Sequence, residues 1–393
     1  MSKRFAAVLA AVLAAFCLPL SAFAAGENTL PVTEDISVSA DYDWDRLADQ
    51  NITLNVYNWG QYISDGTDGS VDVLSAFETL TGIKLNYTTF DTNESLYAKL
   101  KSGGARYDVI FPSDYMVGKM IAEDMLEPLD FANIPNAADV GDAYRGLSYD
   151  PDDAYSVPYT WGLVGLVYNT TMVEGEPDSW DALWDQAYSG QILMFNNSRD
   201  AFAIAARRLG MSLNPANVEE VEQIAQELKA QKPLVQAYVM DEIFDKMEGG
   251  EAAFAPYYVG DALTMMDENP DLGFVIPQEG TNRFVDAICI PKGCANKEAA
   301  EIFINYLCEP DVGLANIEYL GYSTPLNTVW ERLDDEIKYS PIAYPDESVL
   351  ANTETFEVLP DEVNAAMDKA WSSMKSYSED SGESIPTLLG LAV

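Results

Sequence analysis

Two aromatic residues, Trp59 and Tyr62, follow a short run of alternating apolar residues at 54–57. The alternation predicts a strand that ends at Asn58, so both rings are expected in the turn after it. Ligands of open α/β sheets bind outside the carboxyl ends of the strands, where flat rings can form the walls of a small-molecule site. Trp and Tyr are also often buried for packing alone, so the rings could instead belong to the core.

Carboxylates and further rings occur at similar positions later in the chain. Four segments carry them, three at predicted strand boundaries and one in a loop after a predicted helix: 112–115, 196–200, 284–286 and 320–325. Asp200 and Asp286 could accept hydrogen bonds from a cationic ligand while aromatic faces attract its charge. Asp286 could instead orient a turn, and Asp200 stands in the first turn of a predicted helix, where a carboxylate is favoured in any case. Asp114 and Asp261 are second candidates near the same predicted cleft.

Several classes of chemistry are excluded by the residues that the chain lacks. It contains no histidine, which excludes a Ser-His-Asp triad, a Cys-His dyad and histidine-ligated zinc. Walker A, G-x-G-x-x-G and C-x-x-C motifs are missing as well, so no nucleotide, metal or other cofactor is expected. Two carboxylates suffice for a glycosidase, and a secreted carboxylate enzyme therefore stays open as an alternative.

The chain is strongly acidic, with 64 Asp and Glu residues against 22 Lys and Arg residues and a net charge of -42. Nucleic acid and anionic membranes are poor partners for such a protein because both need basic patches. A cationic ligand would be attracted to it. General acidity also serves solubility in a saline or acidic habitat, so charge alone supports a cationic ligand only weakly.

The residues 1–24 have the composition of a signal peptide. A basic segment at 2–4 precedes an apolar run at 5–20 and a small-x-small cleavage site at 22–24. We expect cleavage before Ala25, without a lipid anchor, and no later segment reaches the roughly 18 apolar residues of a membrane span. The expected product is soluble and lies in the periplasm or outside the cell envelope.

Strands and helices alternate from residue 51 onward, and 393 residues suffice for two domains. The first unit is predicted as β-α-β-α-β with a parallel sheet: 52–57, 71–81, 83–90, 95–102 and 107–111. Later strands are predicted at 163–169, 191–195, 252–258, 274–276 and 287–290. Later helices are predicted at 200–209, 218–231, 297–308 and 361–377. The residues 25–50 show little apolar periodicity and predict a flexible leader.

The chain resembles a known family, the periplasmic-type polyamine-binding proteins of ABC importers, which bind spermidine or putrescine. The resemblance covers about 53–374. The segments that show the resemblance are Y-N-W-G-Q-Y at 57–62, N-E-S-L-Y-A-K-L at 93–100, Y-D-V-I-F-P-S-D-Y at 107–115, S-V-P-Y-T-W-G at 156–162, S-W-D-A-L-W at 179–184 and G-Y-S-T-P at 321–325.

The resemblance implies an α/β, two-lobed periplasmic-binding-protein-like fold of type II. Two open mixed sheets flanked by helices would close on the ligand about a hinge. By analogy, lobe one holds 51–162 and 285–330, lobe two holds 163–284 and 331–377, and 378–393 is a tail. The implied function is that of an exported monomer, not an enzyme, that delivers a polyamine to ABC permease subunits. The same fold tuned to another small solute stays an alternative.

The resemblance also implies which residues bind the ligand. The aromatic positions of the family fall on Trp59, Tyr62, Tyr115, Tyr258, Phe284 and Tyr322. Its acidic positions fall on Asp200 and Asp286, with Ser113 as a polar contact. Asn197 occupies a further carboxylate position of the family, a departure that leaves the choice between a triamine and a diamine open. A glutamine position of the family falls near Phe356 or Glu357 and is not assigned.

Overall fold

The computed structural model describes residues 28–104 and 106–376. The predicted signal peptide and the predicted tail lie outside the described residues. Among those that are described, no helix combines the length and the apolar composition that a membrane crossing requires.

The strands alternate with helices along most of the described chain. The strands are β1 (Thr29–Pro31), β2 (Ser37–Ser39), β3 (Thr53–Trp59), β4 (Lys84–Phe90), β5 (Val109–Ile110), β6 (Ser156–Asn169), β7 (Ile192–Phe195), β8 (Val235–Val239), β9 (Phe254–Tyr258), β10 (Leu272–Val275), β11 (Thr281–Cys289) and β12 (Thr353–Glu354). The α-helices are α1 (Val73–Thr81), α2 (Asn93–Lys101), α3 (Asp114–Ala122), α4 (Ser198–Arg208), α5 (Val218–Gln231), α6 (Ile243–Glu248), α7 (Val259–Glu268), α8 (Lys297–Leu307), α9 (Pro310–Leu320), α10 (Asn327–Arg332), α11 (Asp335–Lys338), α12 (Glu347–Leu350) and α13 (Asp361–Ser376).

One sheet connects two groups of parallel strands. Its order is β4-β3-β5-β11-β6-β9-β7-β8, with β10 paired to β6 and β12 paired to β11. β3 pairs in parallel with β4 and with β5, which confirms the predicted β-α-β-α-β unit. β7 pairs in parallel with β8 and β9. The antiparallel pair of β6 and β11 lies between the two groups.

The long strand β6 belongs to both groups. Nearly all of its residues are buried, as expected for a strand that is covered on both faces. Residues 156–163 pair with β11, and residues 164–169 pair with β9 and β10. The predicted lobe boundary between 162 and 163 lies one residue before this change of partner, and the division into lobes stays a prediction.

The prediction of a flexible leader is wrong for residues 28–50. β1 and β2 form an antiparallel hairpin, and Ile36, Val38 and Trp44 are buried in the main core. The backbone amide of Ser37 donates to a carboxylate oxygen of Asp311 at 2.7 Å. Few apolar residues occur in this segment, but these three are buried, so packing orders a stretch that lacks clear periodicity.

Two strands differ from their predictions in ways that affect the candidate site. β8 was not predicted, and β11 begins at Thr281 rather than at the predicted 287. Other boundaries agree more closely: α5 has the predicted bounds, and α1 ends before Gly82, whose φ of 70° is typical of a glycine helix cap. The helix α13 lies against α5, where the ammonium of Lys232 donates to the Met374 carbonyl at 2.8 Å.

Candidate functional site

A cavity of about 800 Å³, including its opening to solvent, lies where the loops after several strands meet. All ten residues that the resemblance predicts as ligand contacts line it: Trp59, Tyr62, Ser113, Tyr115, Asn197, Asp200, Tyr258, Phe284, Asp286 and Tyr322. The fold therefore brings together residues that are far apart in sequence. Their contact with a ligand stays a prediction.

One wall of the cavity is a continuous series of aromatic rings. The ring centroids of Tyr258 and Phe284 are 5.5 Å apart, those of Phe284 and Tyr322 are 6.0 Å apart, and those of Tyr322 and Tyr62 are 5.4 Å apart. Each pair has the edge-to-face geometry that aromatic quadrupoles favour. The rings hold one another in fixed orientations, so the wall is formed before a ligand arrives.

Trp59 ends β3 and is half-buried. Its indole nitrogen donates to the Phe111 carbonyl at 2.8 Å, and its ring packs against Phe90 with centroids 4.4 Å apart. These contacts fix the orientation of the indole at the carboxyl end of the strand, where the alternating sequence pattern placed it.

Asp286 is a buried carboxylate with one oxygen unpaired. The Tyr62 hydroxyl donates to Oδ2 at 2.6 Å, and the Thr160 hydroxyl lies 2.6 Å from the same tyrosine oxygen. Oδ1 has no hydrogen-bond partner within the described part of the chain. Burial raises the pKa of Asp286 to about 6, while the neighbouring hydroxyls of Ser113 and Tyr62 oppose the shift. The free oxygen can accept a hydrogen bond from a cation in the cavity.

Asp200 lies in the first turn of α4, as predicted, but it is not the helix cap. Asn197 is the cap, since its Oδ1 accepts a hydrogen bond from the Arg199 amide at 2.9 Å. Asp200 lines the cavity instead, and Oδ2 accepts a hydrogen bond from the Tyr258 hydroxyl at 2.7 Å. Burial raises the pKa of Asp200 to about 7, so the site holds a second buried carboxylate.

Ser113 and Tyr115 are held by residues of α2. Asn93 bonds twice to Ser113, because its amide nitrogen donates to the serine hydroxyl at 3.0 Å and its oxygen accepts from the serine amide at 3.1 Å. The Tyr115 hydroxyl donates to Glu94 at 2.9 Å. Both side chains are thus positioned by residues of one helix, of which Asn93 itself lines the cavity.

Arg199 is the single basic residue within the segments 112–115, 196–200, 284–286 and 320–325, and it does not line the cavity. Its guanidinium stands behind the wall, 5.1 Å from the centroid of the Tyr115 ring, and donates to Asn214 and to the Glu357 carbonyl. Within the described residues, the lining contains five aspartates and neither lysine nor arginine. The cavity therefore suits a cation and not an anion.

The cavity includes residues that the sequence analysis left out or ranked second. They are Gly60, Gln61, Phe90, Asp91, Asn93, Met240, Asp241, Phe244, Tyr257, Asp261, Asn282 and Phe356. Asp241 follows the unpredicted strand β8, so its place at the end of a strand was not visible from the sequence. Gly60 permits its approach, since a Cβ on that residue would lie 2.9 Å from the Asp241 carboxylate.

The two second candidates have different positions. Asp261 lines the cavity, and burial raises its pKa to about 7, while the Tyr322 hydroxyl opposes the shift. Asp114 does not line the cavity and accepts a hydrogen bond from the Tyr115 amide at 2.6 Å. Burial raises the pKa of Asp114 to about 8, so its carboxyl group is mostly neutral at pH 7 and serves the fold.

Comparisons with known proteins agree on one kind of relative. The family model of bacterial extracellular solute-binding proteins matches residues 72–345. The spermidine/putrescine-binding periplasmic protein of Escherichia coli (strain K12) is 34% identical over 310 residues, which cover 78% of this chain and 87% of that protein. The putrescine-binding periplasmic protein PotF of the same organism is 27% identical, covering 84% and 93%.

Solved structures give the same result. The spermidine/putrescine ABC transporter substrate-binding protein PotD from Streptococcus pneumoniae has a TM-score of 0.70 and 35% sequence identity. The match covers 83% of this chain and 99% of that protein.

Proposed function

Because this chain belongs to the bacterial extracellular solute-binding proteins, we propose that it captures a polyamine, spermidine or putrescine, and delivers it to an ABC importer. Its mixed α/β sheet and its solved relatives confirm the predicted periplasmic-binding-protein-like fold class. The observation that carries the proposal is the cavity, which combines five aspartates with a wall of aromatic rings.

This combination matches the chemistry of a polyamine. Such a ligand carries ammonium groups separated by methylenes, so it needs carboxylates for its charges and apolar or aromatic surface between them. A micromolar complex requires about 8 kcal/mol. Each cation–π contact supplies about 0.5–2 kcal/mol, and each hydrogen bond to a charged group supplies about 1.5–3 kcal/mol. A few contacts with Asp200, Asp286 and the rings are therefore sufficient.

The alternatives fit the cavity less well. An amino acid or another anion-bearing solute needs a basic partner, and neither Lys nor Arg lines the cavity in the described residues. The curated relatives are binding proteins by name, and we propose accordingly that this chain binds its ligand without converting it, rather than acting as a glycosidase.

The proposed route follows from this function. The protein would be exported by the predicted signal peptide, act as a soluble monomer in the periplasm or outside the envelope, and pass its ligand to the permease subunits of the importer. Binding by closure of two lobes would give those subunits a surface that forms only in the loaded state.

Calorimetric titration tests the proposal. The mature protein is unfolded and refolded to remove ligand retained during purification, and it is then titrated with spermidine, putrescine, lysine and maltose. We expect one-to-one binding of a polyamine with a micromolar or lower dissociation constant, and no heat of binding with lysine or maltose. Absence of polyamine binding, or turnover of a glycan by the same preparation, would overturn the proposal.

Replacing Trp59 by alanine is expected to weaken polyamine binding about tenfold, the scale of one lost cation–π contact. Trp330→Ala is the matched control, since Trp330 is 38% exposed and does not line the cavity. Titration calorimetry compares the two variants, and circular dichroism checks that both fold. Equal affinities for Trp59→Ala and Trp330→Ala would remove Trp59 from the site.

A further inference from the structure

Asn282 shares one face of β11 with two predicted ligand contacts. It lies two residues before Phe284 and four before Asp286, and side chains two residues apart on a strand point to the same side. All three line the cavity. At the usual rise per residue of a strand, the Cα atoms of Asn282 and Asp286 are roughly 13 Å apart, and Phe284 lies between them. The strand thus presents a polar group, a ring and a carboxylate in a row.

The amide of Asn282 lacks the hydrogen bond that its burial demands. The residue is 3% exposed, and its Oδ1 has no partner within the described part of the chain. The neighbouring Thr281, on the opposite face of the strand, is satisfied, because its hydroxyl donates to the Val164 carbonyl at 2.6 Å. A buried acceptor without a partner is costly, and here the acceptor belongs to a residue that lines the cavity, where a bound molecule can supply the missing donor.

The residues that line the cavity beside Asn282 indicate which kind of group would donate to its Oδ1. Asp200 and Asn282 line both the main cavity and a small crevice beside it. One oxygen of Asp200 is occupied by the Tyr258 hydroxyl, and the Oδ1 of Asn197 is occupied as a helix cap. A cation that approaches Asp200 thus finds in Asn282 an additional oxygen to which no group of the described residues donates.

We propose that Asn282 is a ligand-binding residue whose Oδ1 accepts a hydrogen bond from the far terminal nitrogen of a linear triamine, which can follow the roughly 13 Å between the two residues, whereas a four-carbon diamine is about half that length. The first cationic nitrogen binds the free Oδ1 of Asp286, and the methylenes between them lie along Phe284. This inference rests on the proposed function. The spacing of Asn282 and Asp286 along β11 then selects ligands by length, because only a ligand with two well-separated ammonium groups satisfies both unpaired oxygens.

Asn282→Leu keeps the volume of the side chain and removes its acceptor. We expect about tenfold weaker binding of spermidine, the scale of one hydrogen bond to a charged group. Binding of n-butylamine, which satisfies the Asp286 end alone, should not change. Intrinsic fluorescence titration extended to millimolar ligand measures both affinities. Asn282→Asp should strengthen spermidine binding more than n-butylamine binding, which neither a merely structural role nor a general attraction of cations would produce.

Thr281→Val is the matched control, since it changes the opposite face of the same strand and should leave both affinities unchanged. Asn282→Ala gives the same ligand pattern if the leucine variant does not fold. Equal loss of spermidine and n-butylamine binding, or unchanged spermidine binding, would overturn the role of Asn282 while wild-type binding upholds the proposed function. A wild-type protein that binds no polyamine would overturn both.

Discussion

Asp286→Asn is expected to weaken spermidine and putrescine binding by about 30-fold or more at pH 7. The carboxylate is 5% exposed, and its Oδ1 is free to accept a hydrogen bond from a cation. Removal of one partner from a buried, hydrogen-bonded charge pair costs about 2–5 kcal/mol. Asparagine keeps the shape and the acceptor for the Tyr62 hydroxyl, so the loss reports the charge. Titration calorimetry of the refolded protein measures it.

Asp114→Asn is the matched control for this variant. Asp114 is 1% exposed and close enough to Asp286 for their charges to interact, but it does not line the cavity. Because its pKa is raised to about 8, its carboxyl group is mostly protonated at pH 7 and resembles an amide. We expect its affinity to stay near that of the wild type. A similar loss in both variants would indicate a general electrostatic effect rather than a contact at Asp286.

The sequence predicts most of the fold wherever the apolar pattern is strong. The first unit has parallel strands in the predicted places, because its strands and helices are short, periodic and separated by clear turns. The aromatic and acidic residues at the strand ends follow from the same pattern. Their meeting in one cavity came from the family resemblance, since strand order cannot be read from the chain alone.

The parts that were missed lie where tertiary packing decides the structure. β8 is an edge strand of five residues of which only one is fully buried, so its pattern is weak, and Asp241 after it went unnoticed. β11 begins six residues before its predicted start. The prediction missed this part because the polar residues Asn282 and Asp286 interrupt the apolar pattern there. Polar side chains that face a cavity look like loop residues in a sequence. Asn282 was therefore missed in the sequence because it is polar, and its polarity is also what suits it to a ligand site.

Binding of a polyamine is expected to weaken about 100-fold or more as the pH falls from 8 to 5. Burial raises the pKa of Asp200 and of Asp261 to about 7 and that of Asp286 to about 6 in the ligand-free protein. The ligand amines stay protonated throughout this range, as lysine does. A bound ammonium favours the ionised carboxylates, so each protonated aspartate must lose its proton before the complex forms.

Calorimetry in two buffers of different ionisation enthalpy measures this proton release directly. Release should increase as the pH falls from 8 to 5, because the free protein takes up protons on these aspartates that the complex does not hold. Asp200→Asn should bind more weakly and show a smaller dependence on pH, because it removes one of the titrating groups. Affinity that is constant from pH 8 to 5 would show that the buried aspartates are not the groups that hold the ligand.

The same carboxylates make the ligand-free protein less stable as the pH rises, although they make ligand binding stronger. A folded-state pKa of about 7 for Asp200, above the unfolded value of about 3.9, means that the folded state binds more protons between these limits. The contribution of Asp200 to the free energy of unfolding therefore falls as the pH rises from 4 to 7. A bound polyamine neutralises the charges that cause this loss. Thermal melts should accordingly show the largest stabilisation by ligand above pH 7, where the empty cavity is most strongly charged.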